Sequence, residues 1–256
     1  MNVDLEVAWH LADAADRVTM RSWDSDGVPS VDKADGSPVT EADSAAERAV
    51  LDALRDACPG DGFLGEELGE RPGTTGRRWI VDGIDGTRFF AAGATTWGTL
   101  IALQADGEIV VGVSSSPTQD RRWWAARGEG AFAGHSRDRV AASRLRVSSR
   151  SELSSDRVVV LPSFAGLTGH HQEAIRRLGG GEPVDRPWSH QCAVAEGEVD
   201  VCVWFCGEIW DHAAPSILVE EAGGRFSDHN GGRRLDTRTA VYSNGPNHDH
   251  VLAALR

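Results

Sequence analysis

Between residues 4 and 20, apolar and small side chains recur at helical spacing (Leu5, Trp9, Ala12, Ala15 and Thr19), while Asp4, Asp13 and Arg17 fall elsewhere around the turn. The spacing predicts an amphipathic first helix. Periodicity is lost from Ser22 to Gly36, a stretch rich in Asp, Gly and Ser that reads as a loop or a short irregular hairpin. It returns from about Asp43 to Ala57, where Ala46, Val50 and Leu54 share a face and Pro59-Gly60 marks the stop. The pattern then turns to strands at Trp79 to Val81, Gly98 to Gln104, Glu108 to Val113 and Arg122 to Ala126, with a hairpin turn at Ala105-Asp106-Gly107. After about residue 140, strands at Arg157 to Leu161 and Asp200 to Phe205 alternate with helices near His170 to Leu178 and Ser189 to Glu196. The prediction is an α/β chain of the layered α+β kind. An antiparallel-sheet half (residues 1–140) is followed by an alternating half (141–256), with no linker long enough to separate them.

Composition narrows the function. The 256 residues carry 26 Lys plus Arg against 39 Asp plus Glu, a formal charge of −13, which argues against a duplex nucleic-acid partner because phosphate neutralisation needs a basic face. Arg121-Arg122-Trp123-Trp124 therefore reads as a strand carrying aromatics into a core rather than as a base-stacking platform. The longest apolar runs, Val158 to Leu161 and Val199 to Phe205, fall far short of the ~20 residues of a membrane helix. Asp4 and Glu6 stand where a secretory signal needs basic residues, so the expected location is cytoplasmic and the four cysteines are expected as thiols. Cys202, Cys206 and His212 could be imagined as a zinc site, but the alternating run VDVCVWFC reads better as a strand with small core cysteines.

Chemistry concentrates in WIVDGIDGTRFF, residues 79 to 90, where an apolar strand runs into two aspartates three positions apart. On a tight loop Asp82 and Asp85 can turn toward one point, and hard oxygen ligands of that kind suit Mg²⁺. Gly83 and Gly86 let the backbone approach a ligand, and N–H groups near Gly86 and Thr87 could hold phosphate oxygens. An ordinary Asp-Gly turn would explain the loop alone. Three further acidic segments weigh against that reading. Glu66 and Glu67 follow Gly65 without helical continuation, as a strand-terminal pair. Thr40 and Asp43 have the form of a helix capping box, and Asp211 opens a helix that Gly223-Gly224 ends.

In this order the four segments resemble the inositol monophosphatase superfamily of metal-dependent, lithium-sensitive phosphomonoesterases over nearly the whole chain. Its Asp-Pro-x-Asp-Gly-Thr pattern appears as Asp82-Gly83-Ile84-Asp85-Gly86-Thr87, Gly-Glu-Glu as Gly65-Glu66-Glu67, and Trp-Asp-x-Ala-Ala as Trp210 to Ala214. Within it, WGTLIAL (97–103), RRWWAARGEGAF (121–132) and the opening LADAAD look most like the actinobacterial histidinol-phosphate phosphatases. The resemblance implies an αβαβα sandwich and two or three Mg²⁺ ions held by Glu66, Asp82, Asp85, Asp211 and the Ile84 carbonyl. It implies phosphate contacts at Asp85, Gly86 and Thr87, and Thr87 and Glu66 as the groups orienting the attacking water. Asp43 would support Thr87 and Lys33. It also implies a homodimer, to which the sequence adds only its nine tryptophans.

The match breaks where the leaving group is read. Seven residues before the Trp-Asp aspartate the family commonly carries a glutamate, and here the position is Trp204; the loop that carries a Gly-Asp pair in the histidinol branch reads approximately Arg186-Pro187. Histidinol is cationic at its amine, so losing anionic partners should weaken it, whereas an indole can stack on a flat ring and Arg186 can favour an additional anion. Trp204 could equally pack against a neighbouring strand or subunit. The expectation is a Mg²⁺-dependent phosphatase of a small, ring-bearing phosphate monoester, histidinol phosphate or a nucleotide-like metabolite. An inositol phosphate is the alternative, and a non-catalytic binding protein on the same scaffold is the alternative of another class.

Overall fold

Along strand β6 (Gly98–Ala105) neighbouring side chains enter different cores: Leu100 and Ala102 join one apolar cluster, Ile101 and Leu103 another. The same period-two division recurs in β8 (Arg121–Ala126), where Trp123 and Ala125 point one way and Trp124 and Ala126 the other. A sheet buried on both faces needs a layer on each side, and the computed structural model, which describes residues 2–161, 167–179 and 189–256, supplies five.

The outermost layer pairs α1 (Val3–Ser22) with α2 (Glu41–Ala57), packed on the face carrying Val81, Ile101, Leu103 and Val113. The Asn2 side chain caps α1 by accepting from the N–H groups of Asp4 and Leu5. Beneath lies an eight-stranded sheet in the order β10-β9-β8-β7-β6-β5-β3-β4. Its strands are β3 (Gly62–Gly65), β4 (Gly69–Arg71), β5 (Arg77–Asp85), β6, β7 (Glu108–Ser116), β8, β9 (Gly130–His135) and β10 (Asp138–Arg144). Neighbours run antiparallel except β3 and β5.

The middle layer is α5 (His190–Ala195) with α6 (Ile209–Glu221), whose Ala213, Ala214, Ile217 and Leu218 are fully buried between the two sheets. The second sheet, β11-β12-β14-β13, is built from β11 (Val158–Leu161), β12 (Val201–Trp204), β13 (Arg225–Ser227) and β14 (Ala240–Ser243), parallel only between β11 and β12. Its outward residues Val158, Val160, Val201, Val203 and Val241 are covered by α4 (Gly169–Arg177) and α7 (His248–Leu255). The result is the αβαβα sandwich. Among the described residues no helix is long and apolar enough to cross a membrane.

Every element expected from periodicity is present, with ends moved by one to a few residues. Several short strands (β4, β9, β10, β13, β14) and α7 carried too little apolar alternation to be read from the chain. The Ser22–Gly36 region forms the start of a small hairpin, β1 (Val31–Asp32) with β2 (Pro38–Val39).

Candidate metal centre

Asp82 and Asp85 do not sit on a loop beyond their strand; β5 continues through both. Asp82 pairs with Leu100 and Asp85 with Gly98, so β5 advances three residues while β6 advances two. In a regular strand, side chains three apart point to opposite faces, and the extra bulge residue at Gly83-Ile84 returns them to the same side. The bulge is held by the Ile84 N–H donating to Asp82 Oδ1 at 2.9 Å. Asp211, in the first turn of α6, completes the set: carboxylate oxygens of Asp82, Asp85 and Asp211 lie within 4.8 Å of one another. Asp211 also accepts the Glu208 N–H at 2.6 Å, so it caps its helix and keeps a second oxygen.

Glu66 arrives from the other side. Gly65, the last residue of β3, pairs in parallel with Val81, which sets Glu66 beside Asp82. The β1–β2 hairpin brings Lys33 to this point, its Nζ donating to Glu66 Oε1 at 2.7 Å and to Glu67 Oε1. Burial works against the Lys33 charge, but the hydrogen bonds and charges of Glu66 and Glu67 together outweigh it and raise its pKa.

Electrostatically the cluster is unbalanced. Burial, then the charges of Glu66, Asp85, Asp211 and Glu47, push the Asp82 carboxyl well above the usual range. Asp211 is raised by burial and by Asp85, and Glu66 by burial against the opposing pull of Lys33. A converging set of hard oxygen donors with so little positive charge among them fits Mg²⁺ in chemistry and in charge.

Thr87 follows the bulge directly. Gly86, in the left-handed region at φ 86°, ends the bulge and starts the short helix α3 (Thr87–Ala91). Thr87 Oγ1 lies 2.7 Å from Asp43 Oδ1 and 3.0 Å from the Ile84 carbonyl, and its one proton can serve only one of them at a time. The other Asp43 oxygen accepts from the Thr40 N–H and hydroxyl at 2.8 and 2.6 Å, so a single aspartate caps α2 and fixes Thr87.

Trp204 closes β12. It is half-buried, with Nε1 inside the core and its ring edge-on to His212 at 5.4 Å, and His212 follows Asp211 directly. Cys202 is buried in the core and Cys206 is exposed. Arg186 lies outside the described residues. One neighbour, Glu47, escaped the sequence reading, and His212 was weighed there only as a zinc ligand. Glu47, fully buried, stands behind Glu66, and its only signal was its place one helical turn after Asp43. His212, also fully buried, meets the Tyr242 hydroxyl at 2.9 Å through Nδ1, and burial depresses its pKa to about 3.

An acidic cluster at the end of a bulged strand, faced by the first turn of the central helix of a five-layer sandwich, is a set of hard oxygen donors suited to a divalent cation. The inositol monophosphatase family matches residues 2–256, and the chain belongs to it, which makes it a metal-dependent phosphomonoesterase. It is 43% identical to a histidinol-phosphatase of Mycobacterium tuberculosis over 98% of this chain and 97% of that one. It is 39% identical to a histidinol-phosphatase of Streptomyces coelicolor over 98% and 96%. The extragenic suppressor protein suhB of Bartonella henselae superposes with a TM-score of 0.85 at 30% identity, covering 100% of this chain and 99% of that one.

Proposed function

We propose that this phosphatase acts on a phosphate monoester whose leaving alcohol carries a flat ring, with histidinol phosphate the first compound to test. The observation that carries the reading is Trp204, a half-buried indole packed on the residue next to Asp211, where the family pattern has a carboxylate. The names of the Mycobacterium and Streptomyces relatives support an imidazole-bearing alcohol.

In this reading Glu66, Asp82, Asp85, Asp211 and the Ile84 carbonyl hold more than one Mg²⁺. The ions, when bound, supply charge neutralisation of the ester and a lowered pKa for the attacking water. Asp43 accepts the hydrogen bond of the Thr87 hydroxyl, leaving the lone pairs of Oγ1 to accept from the incoming water, which Glu66 would also orient. The N–H groups of Gly86 and Thr87 would donate to the phosphate oxygens, and no enzyme nucleophile is needed. The active unit in this proposal is a homodimer.

The test is phosphate release from histidinol phosphate, a nucleoside monophosphate and an inositol phosphate, with Mg²⁺ and in chelator, for the native chain and Trp204→Glu. Stacking contributes on the order of 1 kcal/mol, so the substitution is expected to cost the nucleoside monophosphate about fivefold in kcat/KM, chiefly through KM, and to favour the inositol ester and the amino-alcohol ester histidinol phosphate, whose ammonium a carboxylate can bind. An unchanged ranking would make Trp204 a packing residue only.

A further inference from the structure

Glu47 has no part in the scheme above. It lies on α2, fully buried, and a carboxylate removed from water to that degree needs donors. It has three contacts of that kind: the Glu67 N–H reaches Oε1 and Oε2 at 3.0 and 3.1 Å, and the Leu68 N–H reaches Oε2 at 2.8 Å. Those are the two peptide groups immediately after Glu66. The carboxylate therefore holds the turn that carries Glu66 from behind, while the Glu66 side chain faces Lys33.

Steric contacts extend the same grip to the neighbouring strand. A Cβ placed on Gly65 would lie 2.3 Å from Glu47 Oε2, and one placed on Gly83 would lie 3.0 Å from the Asp43 carbonyl, 3.1 Å from Ala46 Cβ and 3.2 Å from Glu47 Cγ. Gly65 precedes Glu66, and Gly83 follows Asp82. One side chain is thus wedged between two acidic segments, and it reaches them because both are bare backbone there. Gly83 is also where this chain departs from the proline of the family pattern. In this chain that position is the floor against which α2 is seated.

We propose that Glu47 is a positioning residue of the metal centre, setting the spacing between Glu66 and Asp82 from α2, with Gly83 giving the helix the room to do so. The proposal rests on the reading of Glu66 and Asp82 as ligands. Its consequence falls on metal affinity more than on the chemical step, because Glu47 touches the backbone that presents the ligands and none of the reacting atoms.

Glu47→Gln keeps the volume and replaces one acceptor by an amide that cannot accept an N–H. Mg²⁺ binding to chelator-stripped protein is measured by calorimetry, and independently by Tb³⁺ luminescence. The Mg²⁺ dependence of kcat is recorded beside them, and circular dichroism verifies the fold. The expected result is a Mg²⁺ dissociation constant raised about tenfold, in the range typical of groups that support metal ligands, with a much smaller fall in kcat at saturating Mg²⁺. An affinity within twofold of the native chain overturns the proposal. Gly83→Ala, which presses on α2 without touching a carboxylate oxygen, serves if Glu47→Gln does not fold. It is expected to weaken Mg²⁺ severalfold, and an unchanged affinity again overturns the proposal. Asp82→Asn separates the two levels: Mg²⁺ binding as tight as in the native chain would refute the ligand assignment itself, and the role of Glu47 with it.

Discussion

Asp82→Asn should make the metal-free protein more stable while removing its activity. Asp82 is almost completely buried, and its carboxylate shares a space no wider than 4.8 Å with those of Asp85 and Asp211. At that separation and an effective dielectric constant of about 20, each like-charged neighbour costs about 3.5 kcal/mol. The carboxyl can escape by taking up a proton, at about 1.4 kcal/mol for each pH unit above its ordinary value of 3.8. At pH 7 the penalty is therefore capped at about 4 kcal/mol. An asparagine carries no charge, and its Oδ1 can still accept the Ile84 N–H, so the bulge keeps its hydrogen bond. A gain of about 2 to 4 kcal/mol corresponds to a rise in Tm of roughly 4 to 8 °C for a chain of this length. Calorimetric melting in excess chelator reads it directly. In Mg²⁺ at about 100 times its Kd the native chain gains about 2.7 kcal/mol from binding, so the difference should close or reverse. Turnover should fall at least ~100-fold, since a ligand charge is lost. A variant no more stable than the native chain in chelator would show that the carboxylates do not repel one another, and the argument for a cation there would lose its electrostatic basis.

The other expectations probe separate parts of the site and scaffold. Thr87→Val, nearly isosteric, should lower kcat by about 100-fold with KM within a few-fold, because Oγ1 is lost while Asp43 keeps its bonds to Thr40; an unaffected kcat would remove Thr87 from water orientation. Burial, reinforced by the charges of Glu67 and Glu66 and opposed by the backbone N–H bonds, pushes the Glu47 carboxyl from 4.5 to about 7. Between those values the native state holds a proton that the unfolded chain has released, so the Glu47 contribution to metal-free stability is fully present below about pH 4.5 and falls by about 3 kcal/mol as pH rises to about 7; the melting curves of Glu47→Gln should fall less steeply with pH than those of the native chain, because Asp82, Asp211 and Glu66 titrate in both, and equal slopes would remove the Glu47 share. Arg122, 1% exposed, donates to Asp13 and Asp16 at 2.9 and 2.6 Å and lies 4.4 Å over the Trp9 ring. Arg122→Leu leaves the Asp16 carboxylate buried without its cation and should cost about 3 to 5 kcal/mol in denaturant unfolding, with activity per folded molecule unchanged.

The sequence alone determined the residue types of the site and the period of the main elements. Local chemistry controls both. The runs LIAL and RRWWAA foretold strands, and Thr40 with Asp43 foretold a cap, because neighbours within one turn or one strand decide these features. The patterns around Gly65, Asp82 and Trp210 were enough to point to a family, since the ligand types and their order lie in short segments.

What only the tertiary structure decided is how residues 82, 85 and 211 come together, with residue 66 set beside them and paired with Lys33. The convergence of Asp82 with Asp85 depends on a bulge, and a bulge is a mismatch in length between two strands that neither strand records by itself. Asp43 reads locally as a cap, and only the placement of α3 against α2 gives its second oxygen the Thr87 hydroxyl. Glu47 reads as one more polar residue on a surface helix until α2 is laid across Gly65 and Gly83, which turns its carboxylate inward to peptide groups 20 and 21 residues away. Burial, and with it the raised carboxyl pKa values that argue for a cation, belongs to the packed layers: a charge in an extended chain pays no desolvation, and the same charge between two sheets does.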